Sequence, residues 1–180
     1  MASTPPTIGV VSLGETPPLV SKVIAAHISG YYTLDARVLP PREHPSYAFD
    51  RQRLQYNAGT ILQTIRTIPF DGYHKIVGVL NVDIYLPIFA HVYGEARQGG
   101  RHAIVSLYRL GQRLEASSVG RDRLYERAAK VALHELGHLF NLQHCDDPRC
   151  LMHFSGALED LDGLTFTLCR YCRTYLHDEI

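Results

Sequence analysis

The chain has 180 residues, of which 46% are hydrophobic and 20% charged, the balance of one ordinary folded domain. This composition excludes disordered and collagen-like classes, and a domain of this size buries roughly 70% of its unfolded surface without needing staples. Eighteen Lys and Arg offset eighteen Asp and Glu, so the bulk charge that nucleic acid or anionic lipid would call for is missing.

In chain order, the apolar run from Ile8 to Leu13 predicts a buried strand that stops at Gly14. Thr16-Pro17-Pro18 then offers a helix start with Thr16 as cap; Leu19, Val23 and Ala26 recur at helical spacing, and Gly30 is a natural stop. A second strand covers Thr33 to Leu39, closed by Pro40-Pro41. Leu54, Ala58, Ile61, Leu62, Ile65 and Ile68 fall on one helical face, ended by Pro69. His74 to Leu86 reads as a strand and an irregular turn into Pro87. Two strands follow, Phe89 to Tyr93 and Ala103 to Tyr108, joined by a loose hairpin at Gln98-Gly99-Gly100-Arg101. Arg121 to Leu142 returns to a helical pattern, and Leu164, Leu168, Cys172 and Tyr175 suggest a last helix. Strands alternating with helices, then one hairpin, give an α/β layout with a mixed sheet.

Chemistry concentrates after residue 130. His134-Glu135-Leu136-Gly137-His138 is an H-E-x-x-H pattern on a helix, which stacks the two histidines one turn apart and about 40° from each other. Glu135 projects among Val131, Ala128, Leu139 and Leu142, on the stripe that should face the core. An unpaired carboxylate there is expensive unless a metal gives it a task, with two neutral imidazoles on Zn²⁺ and the glutamate facing a water. Asn141 and His144 follow His138 by three and six residues. A ligand six residues on cannot share the helix face, so the helix must end in a residue tolerating positive φ, and asparagine is second only to glycine in that respect. Three histidines and an open position are the pattern of a catalytic zinc site.

All four cysteines lie beyond this point. Cys145 and Cys150 are separated by four residues, Cys169 and Cys172 by two, and the pairs by eighteen. In a reducing compartment such pairs read as a closed, structural Cys₄ zinc site; two disulfides are the alternative in an oxidising one.

These residues resemble the archaemetzincins, a family within the metzincin clan of zinc peptidases. The resemblance is carried by His134, Glu135, His138, His144, Cys145, Cys150, Met152, Cys169 and Cys172. A weaker likeness extends upstream through Asn81 to Tyr85, Tyr93-Gly94-Glu95-Ala96 and Val105 to Leu110. It implies a metzincin-like α/β (α+β) fold, with a twisted mixed sheet and active-site helix above a cleft and a small zinc-stapled C-terminal lobe below. Residues 1–144 would form the upper lobe and 145–180 the lower, within one catalytic domain. It further implies Met152 as the Met-turn residue beneath the catalytic zinc, and a substrate-pairing strand near Phe89 to Tyr93. Two departures stand out: Asn141 where the family has glycine, and Phe154 where some relatives carry a tyrosine whose phenol reaches the metal or the oxyanion. His153 reads as a solvated loop residue rather than a substitute for that tyrosine, and His91 and Tyr93 as hairpin packing, with contacts at the rim of the cleft as the alternative.

The expected function is hydrolysis of peptide bonds in a peptide or protein substrate, with two Zn²⁺ per chain and Glu135 as general base. The alternative is a peptidase-fold protein that binds zinc and peptide without turnover. A nucleic-acid-binding ribbon built on the cysteines ranks last, because acidic residues crowd Arg149, Arg170 and Arg173. No run spans a bilayer, and Met1 to Pro6 lacks the basic start of a targeting segment, so the expected location is cytoplasmic. Oligomeric state is not encoded legibly.

Overall fold

The structure is a computed structural model that describes residues 6–180; Met1 to Pro5, where part of the targeting reading falls, lie outside it. The run at Ile8 forms β1 (Thr7–Leu13), which leads through a proline turn into α1 (Val20–Tyr32) and back into β2 (Asp35–Arg42). A short hairpin, β3 (Phe49–Asp50) and β4 (Gln55–Asn57), precedes α2 (Ala58–Ile65) and the buried β5 (Lys75–Leu80). Four strands follow: β6 (Ile84–Leu86), β7 (Phe89–Val92), β8 (Gly94–Ala96) and β9 (His102–Ser106). The long α3 (Ser118–Leu139) is succeeded by irregular chain carrying α4 (Leu158–Gly163) and α5 (Arg170–Glu179).

Five strands make the main sheet in the order β2-β1-β5-β9-β8, parallel except for β8, which runs antiparallel to β9. The central strands are near-continuous apolar runs because both faces are covered. Ile8, Val10, Val77, Val79, Ala103 and Val105 face α1 and α3, in a core that also takes in Leu161, Leu164, Leu168 and Leu176 of the C-terminal segment. Val11, Leu13, Ile76, Leu80 and Ile104 face α2 and a second sheet of order β3-β4-β6-β7.

The α/β class and mixed sheet are as expected, but several local readings differ. Thr16 caps no helix; its hydroxyl pairs with Ser12 Oγ at 2.9 Å, and α1 begins behind Leu19 without a side-chain cap. The same helix runs through Gly30 and stops at Thr33, which takes the left-handed φ of 59°. β2 continues across Pro40 and Pro41 because it is the outermost strand, where a missing N–H costs no ladder bond. Leu54 lies in an exposed turn with φ 54°, and α2 starts only at Ala58, where Asn57 Oδ1 accepts from Thr60 N at 3.1 Å. The expected hairpin of Phe89–Tyr93 with Ala103–Tyr108 is divided between sheets. β7 pairs with β6 in the second sheet, and the short β8 is the true partner of β9.

Candidate metal centres and cleft

The site is built on α3, whose N-terminus is capped by Ser117 Oγ accepting from Gly120 N at 3.1 Å. The helix carries two cations through the core because each finds partners. Arg127 forks onto Asp162 with two bonds of 2.7 Å and donates to Leu110 O at 2.8 Å. Lys130 Nζ meets Glu126 at 2.7 Å and Leu161 O at 3.1 Å. At the other end, Asn141 has φ 62°, Asn141 N donates to His138 O at 3.1 Å and Leu142 N to Gly137 O at 3.0 Å. That is a Schellman termination with asparagine in the left-handed position, and it swings His144 back over the helix.

His134 Nδ1 donates to Leu151 O at 2.9 Å and His138 Nδ1 to Leu142 O at 2.7 Å. These bonds assign the tautomers and leave both Nε2 lone pairs facing one another at 3.1 Å. Tetrahedral zinc with Zn–N near 2.05 Å separates its nitrogens by roughly 3.3 Å. The donor atoms of His134, His138 and His144 all lie within 4.8 Å of one another, so three imidazoles fit one ion. Burial, with His138 adding, pushes His134 down to about 3, and burial lowers His138 and His144 as well. Neutral imidazole is the ligand form.

Glu135 is 8% exposed and has no hydrogen-bond partner among the described residues. Burial, reinforced by the charge of Glu95, raises its carboxyl well above the ordinary range. It borders a cleft of about 720 Å³ whose walls include β8, Phe89 to Val92 of β7, the three histidines and Leu161. Two glycines make room here. A Cβ at Gly94 would stand 2.8 Å from Glu135 Oε1, and one at Gly137 would stand 2.6 Å from Met152 Sδ. No sequence signal marked the first, because Gly94 lies just past the expected strand Phe89 to Tyr93 and its neighbour Glu135 comes near only in the fold. Met152 is fully buried against Gly137, the residue just before His138.

Phe154 lays its ring edge-on to His144, with centroids 5.3 Å apart, and offers no hydroxyl. His153 is not a solvated loop residue: it is half-buried, with Nδ1 donating to Cys145 O at 2.8 Å. His91 and Tyr93 pack edge-on at 5.6 Å, and both line the cleft.

The four cysteines are free thiols whose sulfurs lie within 4.8 Å of one another. Cys145 and Cys169 sulfurs are 3.8 Å apart, matching the roughly 3.8 Å edge of a tetrahedron with Zn–S near 2.3 Å. Cys169 caps α5 by accepting from Cys172 N, and Cys150 Sγ accepts from Cys169 N at 3.3 Å. Burial pushes the Cys150 and Cys172 thiols up. At Cys169 burial acts the same way, but bonds from its cysteine neighbours outweigh it and bring that thiol down.

Helices flanking a mixed sheet, with paired histidines opening on a cleft, are the architecture of a zinc metallopeptidase. The family model described as Peptidase family M54 matches residues 22–178. Archaemetzincin of Pyrococcus abyssi is 37% identical over 169 residues, covering 91% of this chain and 90% of its own. Among solved structures, archaemetzincin from Methanopyrus kandleri superposes with a TM-score of 0.86 at 31% identity, covering 99% of this chain and 97% of that one. A zinc-dependent peptidase from Methanocorpusculum labreanum gives 0.83 at 27% identity, over 94% and 99%. The chain belongs to Peptidase family M54, the archaemetzincins. None of its described helices is long and apolar enough to cross a membrane.

Proposed function

We propose that the cleft hydrolyses peptide bonds, with His134, His138 and His144 holding a catalytic zinc and Glu135 as general base. The observation that carries this reading is the approach of two neutral imidazole lone pairs to 3.1 Å beside an unpaired, buried glutamate. Zinc bound there supplies Lewis acidity, polarising a carbonyl and lowering the pKa of a water to about 7. Glu135 takes the proton of the attacking water on its carboxylate and delivers it to the leaving amine nitrogen. Met152 forms the apolar floor, and Cys145, Cys150, Cys169 and Cys172 hold a second, structural zinc that leaves no position for substrate. Residues 1–144 and 145–180 act as upper and lower lobes of one catalytic domain.

The peptide adds to β8 rather than to Phe89–Tyr93. Tyr93 O accepts from Ser106 N at 2.8 Å, so by antiparallel alternation Glu95 shares its main-chain bonds with Ile104. The main-chain groups of Gly94 and Ala96 then point outward, where an extended substrate completes the ladder.

Glu135→Gln tests the mechanism. Peptide cleavage should fall to background while metal analysis still finds two zincs per chain. Retained turnover would remove Glu135 from its role. A wild-type protein that holds both zincs and binds peptides without cleaving any would favour capture over catalysis.

A further inference from the structure

The geometry points to Glu95 as the specificity residue of the cleft, a carboxylate that receives a lysine or arginine side chain of the peptide. This rests on the cleft taking an extended peptide along β8. Gly94 faces Glu135 and Val131 of α3, and Ala96 packs into the core on that side. Glu95 therefore projects onto the opposite face, where its cross-strand partner Ile104 belongs to the core that Leu86 and Val92 pack against. The side chain is half-buried and lines the cleft. Burial raises its carboxyl above the usual range.

Among the described residues Glu95 has no ion pair and no hydrogen bond, and the cations that act on nearby His91 and Tyr93 or line the cleft are committed elsewhere. Arg109 holds Asp83 through bonds of 2.6 and 2.7 Å, Lys130 holds Glu126 at 2.7 Å, and Arg127 holds Asp162 at 2.7 Å. Arg97, two residues along and exposed, makes no ion pair with it. A half-buried carboxylate without a partner is costly, and an incoming cation relieves that cost.

An added strand supplies the cation from a definite direction. The substrate residue opposite Glu95 places its side chain on the same face, with Cβ atoms about 5 Å apart. A lysine or arginine stem would lie along Leu86 and Val92 while its head meets the carboxylate. A terminal α-ammonium lies in the plane of the added strand, off this face.

The test uses the zinc-loaded full chain and N-acetylated, C-amidated octapeptides that carry one lysine, or norleucine in its place, scanned along the sequence. Wild type should favour lysine by about tenfold at one fixed position relative to the cut. That ratio should approach one in Glu95→Gln and fall below one in Glu95→Lys, where two like charges would meet. The same pairs are measured for binding, by fluorescence anisotropy, to Glu135→Gln and to Glu135→Gln/Glu95→Gln. Binding preference without turnover would keep the Glu95 subsite and sink the peptidase reading. Turnover with equal ratios in wild type and Glu95→Gln would do the reverse. A preference that appears only with free N-termini, whatever the side chain, would also overturn the assignment, as would binding of neither probe.

Discussion

A methyl group on residue 94 would meet Glu135 Cγ at 2.7 Å and Oε1 at 2.8 Å, well inside ordinary contact. The same methyl would meet Val131 Cγ1 at 2.8 Å; because β8 is held to β9 and this C-terminal half of α3 is buried, the longer Glu135 side chain is the part that would yield most. Gly94→Ala should therefore fold and keep its metal, yet lose about a hundredfold in kcat through a misplaced base. Peptide turnover measured beside zinc content checks this; normal kcat would mean that Glu135 has slack in the cleft. That the histidines and the cysteines would each cluster was legible from sequence, because their spacing is set within one helix turn or one tight loop. Gly94 was not, since its constraint comes from a glutamate far along the chain that only the fold brings near. Asn141 lies between these cases: a third histidine six residues on demanded a turn, and the turn takes φ 62°.

At the scale of elements, α3 is oriented by the cysteine-rich segment that follows it. Leu151 lies between Cys150 and Met152, and its carbonyl takes the Nδ1 proton of His134 at 2.9 Å. Cys145 adjoins His144 in the chain and donates its N–H to Met152 O at 2.9 Å. The two donor sets thus share one short stretch of backbone, so loosening the sulfur cluster should loosen the histidines. Cys172→Ser is expected to empty the cysteine site and to raise zinc loss from the histidine site about tenfold, the cost of a disturbed outer partner. Zinc release to a chelator, measured beside His138→Ala to identify which ion leaves, checks this. Unchanged release from the histidines would mean that Thr167, whose carbonyl accepts from Leu151 N at 2.8 Å, holds the loop alone. Elements marked by an unbroken apolar run, such as β1 and β5, or by a long helical pattern, such as α3, were readable in advance. Those set by position were not. Pro40 and Pro41 stay in a strand because β2 is an edge, and β7 and β8 part because each finds a different neighbour.

Across the whole molecule, stability toward acid is tied to a group remote from both donor sets. His102 opens β9, between β5 and β8, and is 9% exposed. Burial, with the charges of Arg101 and Arg66 adding, pushes its pKa down to about 4. In the unfolded chain the same imidazole titrates near 6.5. Between these values the unfolded chain binds a proton that the folded one refuses, so stability is complete above about pH 6.5 and declines as pH falls toward 4. Allowing for solvent screening at a partly wetted ring, this one residue should cost about 2 kcal/mol over that window. The groups of the proposed zinc sites also protonate in acid, but they do so equally in wild type and in His102→Gln. Urea unfolding of both proteins at pH 7.5 and 4.5 therefore isolates the effect. The stability of wild type relative to the variant should fall by about 2 kcal/mol between the two conditions. A difference that does not change with pH would mean that folded His102 titrates as it would in water, and that β9 opens at that end without unfolding the sheet.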